Sequence, residues 1–140
     1  MMPDLFVMLI TVQDAIQLHE MIITRFGGSP GIRDLKLLES ALDQPLKAID
    51  YGSDSERSIE YLAAVYFFHV IKNHAFVDGN KRTGLLVATT FLARNKFILE
   101  IGFDELYELA LKTAESQVNK QEIAGIFKSC IRQVNLDELV

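Results

Sequence analysis

Two apolar runs, residues 59–71 and 85–93, limit how this chain can fold more than any other feature. In the first run, apolar side chains occupy several faces of a helical repeat, which predicts a helix buried on most sides. The second run is similarly apolar, so both should belong to one core. A chain of 140 residues is long enough for one domain around such a core and little more. We therefore predict a single domain over residues 1–140.

Capping and turn signals around these runs predict a mainly α fold of about six helices. Thr11 and Asp14 should open a first helix that continues to about residue 25. Asp34 should open a second helix that Pro45 ends. The other helices are expected from Ser55 or Ser58 to about residue 74, and over residues 80–95, 104–118 and 121–134. Short extended segments are expected at residues 5–10 and 96–101, and a loop at residues 46–56.

A polar stretch of eleven residues, 74–84, lies between the two apolar runs. It contains an imidazole, a carboxylate, two cations and two glycines. Leaving such groups inside a protein without partners would cost several kcal/mol. The stretch must therefore lie at the surface or be completed by a ligand.

The second half of this stretch has the groups that bind phosphate. If a helix begins at Gly79 or Asn80, its first backbone N–H groups and its partial positive charge make an anion site. Gly79 allows close approach of a phosphate, and Asn80 adds a neutral donor. Lys81 and Arg82 add positive charge that phosphate oxygens can accept. These residues predict a nucleotide phosphate site.

The first half of the stretch has the groups that phosphoryl chemistry needs. Asp78 has the wrong sign to hold a phosphate, but it suits Mg²⁺, which usually takes one or two carboxylates and completes its shell with water and substrate phosphates. His74 is the natural general base, because a histidine is mostly neutral at about pH 7 and can accept a hydroxyl proton. Together the residues predict a metal-assisted site that moves a phosphorus group onto a hydroxyl.

The motif His74-x-Phe76-x-Asp78-Gly79-Asn80-Lys81-Arg82 resembles the signature of the Fic/Doc superfamily, His-x-Phe-x-(Asp/Glu)-(Gly/Ala)-Asn-(Gly/Lys)-Arg. Residues 27–34, followed by residues 37–42 and Pro45, also resemble the start of death-on-curing (Doc) chains. The resemblance runs from about residue 26 to residue 97. The Fic adenylyltransferase form has Gly after the Asn and a second Arg three residues beyond the first. Here Lys81 and Leu85 occupy those positions, so the chain resembles the Doc toxins more closely.

This resemblance implies a Fic-fold helical bundle with minor β content, namely an N-terminal strand and a flap at residues 46–56 that docks the target by strand addition. It also implies a Doc-type kinase that transfers the γ-phosphate of ATP, with Mg²⁺, to a Ser or Thr of a translation factor, elongation factor Tu. In that activity His74 is the catalytic base, Asp78 holds the metal, and Gly79, Asn80, Lys81 and Arg82 bind phosphates. The alternatives are AMP transfer of the Fic type and a Fic-like binding module without turnover.

The partners expected for such a chain follow from the same resemblance and from composition. No inhibitory helix of the Ser/Thr-x-x-x-Glu-(Gly/Asn) type occurs in the sequence, so control by a separate antitoxin of the Phd type is expected, with its C-terminal helix in an apolar groove. A net charge of -5 argues against direct nucleic-acid binding. No apolar run reaches the roughly 18 residues that span a bilayer. The absence of a basic leader and the single cysteine, Cys130, favour a cytoplasmic protein.

Several residues outside the motif have two interpretations. His19 is expected to be a surface or partly buried helix residue without a role, and His69 a core histidine satisfied by a hydrogen bond. Arg33 and Asp34 are either solvated or capping charges, or part of the wall of the active cleft. Tyr51 belongs either to the flap or to a plain surface connection.

Overall fold

The computed structural model describes residues 7–135, and six α-helices account for most of them. One 3₁₀ turn, Ser55–Arg57, lies between the second and third helices. The mainly α fold class with about six helices is confirmed, and none of the helices in residues 7–135 is both long enough and apolar enough to cross a membrane. The helices are α1 (Val12–Phe26), α2 (Leu35–Tyr51), α3 (Ile59–Asn73), α4 (Asn80–Arg94), α5 (Phe103–Ala114) and α6 (Lys120–Cys130), and the strands are β1 (Phe97–Leu99) and β2 (Ile131–Gln133).

Helix α3 lies at the centre of the fold, as its apolar sequence predicts. Ser58 caps its start by accepting the Tyr61 N–H, and nine of its 15 residues are buried. Helices α2, α4, α5 and α6 all pack against it. Because α3 is surrounded, the ends of α3 and α4 are the places where this core can present polar groups to solvent.

Residues 5–10 are expected from the sequence to be a small strand or an extended lead-in. In the part that the structure describes, residues 7–10, no strand forms, so the strand alternative is wrong there. Residues 5 and 6 lie outside the described residues. Side chains satisfy the backbone here in place of a neighbouring strand. The Asn95 side chain bonds both the N–H (2.8 Å) and the C=O (3.0 Å) of Met8, and the Tyr66 hydroxyl accepts the Ile10 N–H at 2.9 Å.

The predicted end of the second helix at Pro45 is also wrong, because α2 continues to Tyr51. Pro45 is buried within the helix that packs on α3, so tertiary packing outweighs the lost backbone hydrogen bond, a cost of about 3 kcal/mol. The loop predicted at residues 46–56 is therefore reduced to residues 52–54, because residues 46–51 are helical and the 3₁₀ turn begins at Ser55. No strand forms in residues 46–56, so the predicted flap is wrong. Tyr51 is 87% exposed at the end of α2.

The extended segment predicted at residues 96–101 is confirmed in β1, whereas the last two helices are shorter than predicted. Helix α5 ends at Ala114, followed by Ser116 with a left-handed φ of 61°. Helix α6 ends at Cys130, because residues 131–133 pair antiparallel with β1. The β content of residues 7–135 is thus a two-stranded ladder near the carboxyl end, not an N-terminal strand and a flap.

The core-histidine interpretation of His69 is confirmed in its hydrogen bond, although the residue is only partly buried. Its Nε2 lies 3.2 Å from Lys120 Nζ, so a neutral imidazole accepts a hydrogen bond from the ammonium. Burial, followed by the positive charges of Lys120 and Lys47, lowers the pKa of His69 to about 4. The folded protein therefore holds this side chain neutral.

We expect His69 to make the fold sensitive to mild acid. In the unfolded chain, His69 becomes protonated as pH falls through its ordinary pKa of 6.5. In the folded protein, it becomes protonated only near pH 4. The stability associated with the neutral side chain is therefore present above about pH 6.5 and declines between about 6.5 and 4. In His69→Gln, which cannot titrate, urea-unfolding midpoints should fall less over this range than in the wild type. Parallel curves would contradict the assignment.

Candidate active site

The polar residues predicted from the sequence lie on a short connection between α3 and α4, called here the 74–79 loop. His74 ends α3 in a left-handed conformation (φ 50°, ψ 48°), and Gly79 precedes α4 in another (φ 77°, ψ 18°). Helices α3 and α4 pack against each other. His74 and Asp78 are exposed, Lys81 is half-buried, and the charge of Lys81 acts on the Asp78 carboxyl.

The 74–79 loop is held from within by Asn80. The Asn80 side chain accepts the Phe76 N–H and donates to the Phe76 C=O, both at 3.0 Å. Phe76 is fully buried and Asn80 is 5% exposed. The amide oxygen and one of the two Nδ2–H donors are therefore engaged by the protein, which leaves the second Nδ2–H and the backbone N–H of Asn80 as donors for a phosphate.

A second support comes from residues 28–34, which lie beside the loop. The Gly31 C=O accepts the Val77 N–H at 3.0 Å, and the Ala75 C=O accepts the N–H groups of Arg33 (2.7 Å) and Asp34 (3.0 Å). Ile32 and Phe76 form an isolated antiparallel bridge. The backbone of residues 28–34 thus forms one wall of the site, as one of the two interpretations of this segment had it.

The capping interpretation of Arg33 and Asp34 is confirmed as well. Asp34 caps α2 by accepting the Leu37 N–H at 3.2 Å. Arg33 donates from Nε to the His74 C=O (2.8 Å) and from Nη2 to the Asn73 C=O (3.3 Å), which are carbonyls at the end of α3. Arg33 therefore fixes the backbone of the candidate base.

His19 is the residue that the sequence interpretation missed. It is 3% exposed on α1, its ring stacks on Phe76 (3.9 Å between centroids, 7° between planes), and its Nε2 lies 2.8 Å from the Asp78 C=O. The predicted surface or partly buried position is therefore wrong, because the residue is fully buried. The available signal was its spacing, since it shares the buried face of α1 with Ala15 and Ile22.

Asp78 is held by two backbone hydrogen bonds. Its Oδ2 accepts the Ser29 N–H at 3.2 Å and its Oδ1 accepts the Gly79 N–H at 2.9 Å. These bonds, with the Ser29 bond first, lower the pKa of Asp78, and the charge of Lys81 acts in the same direction. The side chain is therefore an exposed carboxylate, and each oxygen retains a lone pair.

The single carboxylate of Asp78 fits a Mg²⁺ site that water and substrate complete, and it does not fit a metal site made entirely of protein ligands. Within residues 7–135, no three or more His, Cys, Asp or Glu side chains cluster where they could hold a metal ion. A single carboxylate is enough for Mg²⁺, which keeps several waters and binds substrate phosphates. Asp78 could therefore hold this ion together with a nucleotide.

The start of α4 has the character of an anion site. The first N–H groups of any α-helix have no intrahelical acceptor. In α4 the cap residue, Gly79, has no side chain that could accept from them. Lys81 lies in that first turn and contributes a positive charge near Asp78. Backbone donors and a cation thus adjoin the candidate metal ligand.

Arg82 extends toward α1 and α5. Its guanidinium carbon lies 4.6 Å from the centre of the Phe26 ring and 5.0 Å from that of Tyr107, and its Nε is buried without a partner in the part of the chain that the structure describes. Beside it is a groove of about 820 Å³. The groove is lined by Gln17, Glu20, Met21, Ile22, Thr24, Arg25, Phe26, Arg82, Leu85, Leu86 and Phe103.

Comparison with known proteins gives matches along most of the chain. The sequence model of the Fic/DOC family matches residues 9–92. The chain is 36% identical over 106 residues to "Toxin Doc" of Mycolicibacterium smegmatis, covering 71% of this chain and 81% of that protein. It is 29% identical over 119 residues to "Protein kinase doc" of Escherichia phage P1, covering 85% and 92%. The segment that the family model matches, residues 9–92, includes α1, residues 28–34 and the 74–79 loop.

Two neighbouring glycines allow a test of how Asp78 is held. Alanine is strained at both, because φ is +83° at Gly27 and +109° at Gly28. A Cβ on Gly28 would lie 2.7 Å from Asp78 Oδ2, whereas one on Gly27 would meet nothing within 4 Å. We expect Gly28→Ala to displace the carboxylate from the Ser29 N–H and raise the pKa of Asp78, measured by NMR titration of its carboxyl carbon. Gly27→Ala is the matched control, and equal Asp78 pKa values in the two variants would contradict this description.

Proposed function

The chain belongs to the Fic/DOC family, and on that basis we propose that it is a Doc-type toxin: a protein kinase that transfers the γ-phosphate of ATP to a Ser or Thr of elongation factor Tu. The observation that carries the proposal is the 74–79 loop. It joins an exposed histidine, an exposed carboxylate and the uncapped start of α4. The relative named "Protein kinase doc" supports a kinase over other uses of such a site. A translation factor acts in the cytoplasm, so the proposal locates the enzyme there.

In this proposal His74 is the general base. The target hydroxyl oxygen forms a bond to the γ-phosphorus, the bond from that phosphorus to the β–γ bridging oxygen breaks, and ADP leaves. His74 accepts the hydroxyl proton. The geometry supports this role because Arg33 fixes the His74 backbone and the side chain is exposed to a target.

The other predicted residues hold the nucleotide. Asp78 would bind Mg²⁺, which when present neutralises charge on the β- and γ-phosphates. Asn80 and Lys81 would contribute backbone N–H groups at the start of α4, and Lys81 its ammonium. Gly79, whose own N–H donates to Asp78 Oδ1, would allow a phosphate to approach closely because it has no side chain. Arg82 would also bind a phosphate. Its guanidinium contacts the Phe26 ring through its flat face, which leaves N–H groups at its edge for hydrogen bonds.

Phosphate transfer is favoured over AMP transfer by two positions. The Fic form has Gly where this chain has Lys81, and a second Arg where it has Leu85. Leu85 is 8% exposed and apolar, so it cannot pair with a phosphate. AMP transfer to a protein hydroxyl and a binding module without turnover are the two alternatives. A measurement of turnover distinguishes the binding module from either enzyme.

We further infer that a separate antitoxin of the Phd type restrains this enzyme by placing an apolar helix in the groove between α1, α4 and α5. The relative named "Toxin Doc" supports such a partner. The groove exposes Met21 (59%), Phe26 (47%) and Phe103 (51%), which is the apolar surface that a docking helix would cover. Since Arg82 lines the same groove, an occupant would also cover a residue assigned to phosphate.

Mass spectrometry tests the activity directly. Elongation factor Tu and bulk cell protein are incubated with the purified chain, Mg²⁺ and ATP. We expect a gain of one phosphate that disappears in His74→Ala, because that variant lacks the base. His69→Gln is the matched control, since it removes a histidine from the same helix and should retain the activity.

The other outcomes assign the alternatives. A gain of AMP would mean that the nucleotide binds in the Fic orientation despite Lys81 and Leu85. No change in any candidate target, with the protein folded, would favour the binding module.

Expression without a partner tests the antitoxin. We expect the wild-type chain alone to arrest bacterial growth and His74→Ala to permit it, because restraint comes from a second protein. Growth curves after induction measure this effect. Normal growth at high expression of a chain that is active after purification would contradict the need for an antitoxin.

A further inference from the structure

His19 is a buried polar residue to which neither the sequence motif nor the proposed chemistry gives a role. It lies on α1, yet both of its described polar and ring contacts are with the 74–79 loop, 55 or more residues later in the sequence. Its ring covers Phe76, and its Nε2 reaches the Asp78 C=O. A carbonyl only accepts hydrogen bonds, so His19 donates and its proton is on Nε2.

We propose that His19 is a positioning residue that fixes the orientation of the Asp78–Gly79 peptide, and through it the Asp78 carboxylate at the start of α4. The inference deepens the proposed function and rests on it for the consequence in catalysis. The contacts themselves stand independently of that function.

Two hydrogen bonds hold the peptide unit between Asp78 and Gly79. A peptide unit is planar, so its C=O and its N–H turn together. The C=O accepts from His19 Nε2 at 2.8 Å, and the N–H donates to Asp78 Oδ1 at 2.9 Å. Rotating this unit would break both bonds. The histidine therefore sets the direction of the N–H that holds the carboxylate.

The ring of His19 is itself held in place. It lies 3.9 Å from the Phe76 ring and nearly parallel to it, and Asn80 bonds the Phe76 backbone on both polar groups. The same face of α1 also reaches the cap of α4, because a Cβ on Gly79 would lie 3.5 Å from Ile22 and 3.8 Å from His19. Helix α1 thus supports the carboxylate and the first N–H groups of α4 together.

Packing alone is the competing account, and two substitutions distinguish it from positioning. His19→Phe retains an aromatic ring over Phe76 and removes the donor. His19→Gln retains an N–H donor and removes the ring. Positioning predicts that Gln is the better replacement for function, whereas packing predicts that Phe is.

The experiment combines kinetics with a measurement that needs no substrate. In His19→Phe we expect kcat/KM for ATP to fall roughly 10- to 100-fold, the typical effect of removing a residue that orients a metal ligand, with a higher Mg²⁺ concentration at half-saturation. NMR should show faster hydrogen exchange at the Gly79 amide, by about tenfold. His19→Gln should recover part of both. His69→Phe is the matched control, because His69 contacts Lys120 and Phe68 and should leave the Gly79 amide unchanged.

Each result supports or overturns the proposal. Gly79 exchange and kcat/KM that remain within twofold of wild type in His19→Phe would overturn it. If His19→Phe does not fold, a folded His19→Gln with a protected Gly79 amide supports positioning, and one with an unprotected amide overturns it. If the wild type transfers no phosphate, the proposed function fails while the exchange measurement still tests the role of His19 in the loop.

Discussion

The candidate active site depends on one pair of hydrogen bonds, in which the Phe76 N–H donates to Asn80 Oδ1 and Asn80 Nδ2 donates to the Phe76 C=O. These backbone groups are buried, and leaving one without a partner would cost about 1–3 kcal/mol. The bonds therefore oppose any other course of the chain between α3 and α4. They also anchor Phe76, on which His19 rests, so an Asn80 substitution would alter the loop as well as any phosphate contact.

The remaining parts of the site come from distant segments that converge on the same loop. Arg33 holds the carbonyl of His74, Ser29 holds the carboxylate of Asp78, and His19 holds its carbonyl. All three lie within residues 12–34, before the motif in the sequence. The motif carries the candidate reactive groups, while α1 and residues 28–34 hold the backbone of His74 and Asp78 and the Asp78 carboxylate.

The parts of the fold and site that could be predicted from sequence are those with local signals. Thr11 and Ser58 cap their helices as expected, and the apolar run of α3 is central. The end of α2 was wrong because burial of Pro45 against α3 overrides a local rule, and the N-terminal strand was wrong because Asn95 is a partner that only the folded chain supplies. His19 was missed for the same reason: a histidine at a helical position acquires a role only when the 74–79 loop packs against it.

Arg82 belongs to two surfaces, the start of α4 and the groove lined by Phe26 and Leu86. If Arg82 contacts a nucleotide as proposed, the nucleotide and a molecule bound in the groove would contact the same side chain and affect each other's affinity. If an occupant of the groove weakens the hold of Arg82 on a nucleotide, the nucleotide must weaken the occupant's affinity by the same factor. The ATP concentration in the cell would then influence what fraction of the protein has its groove occupied and what fraction is free.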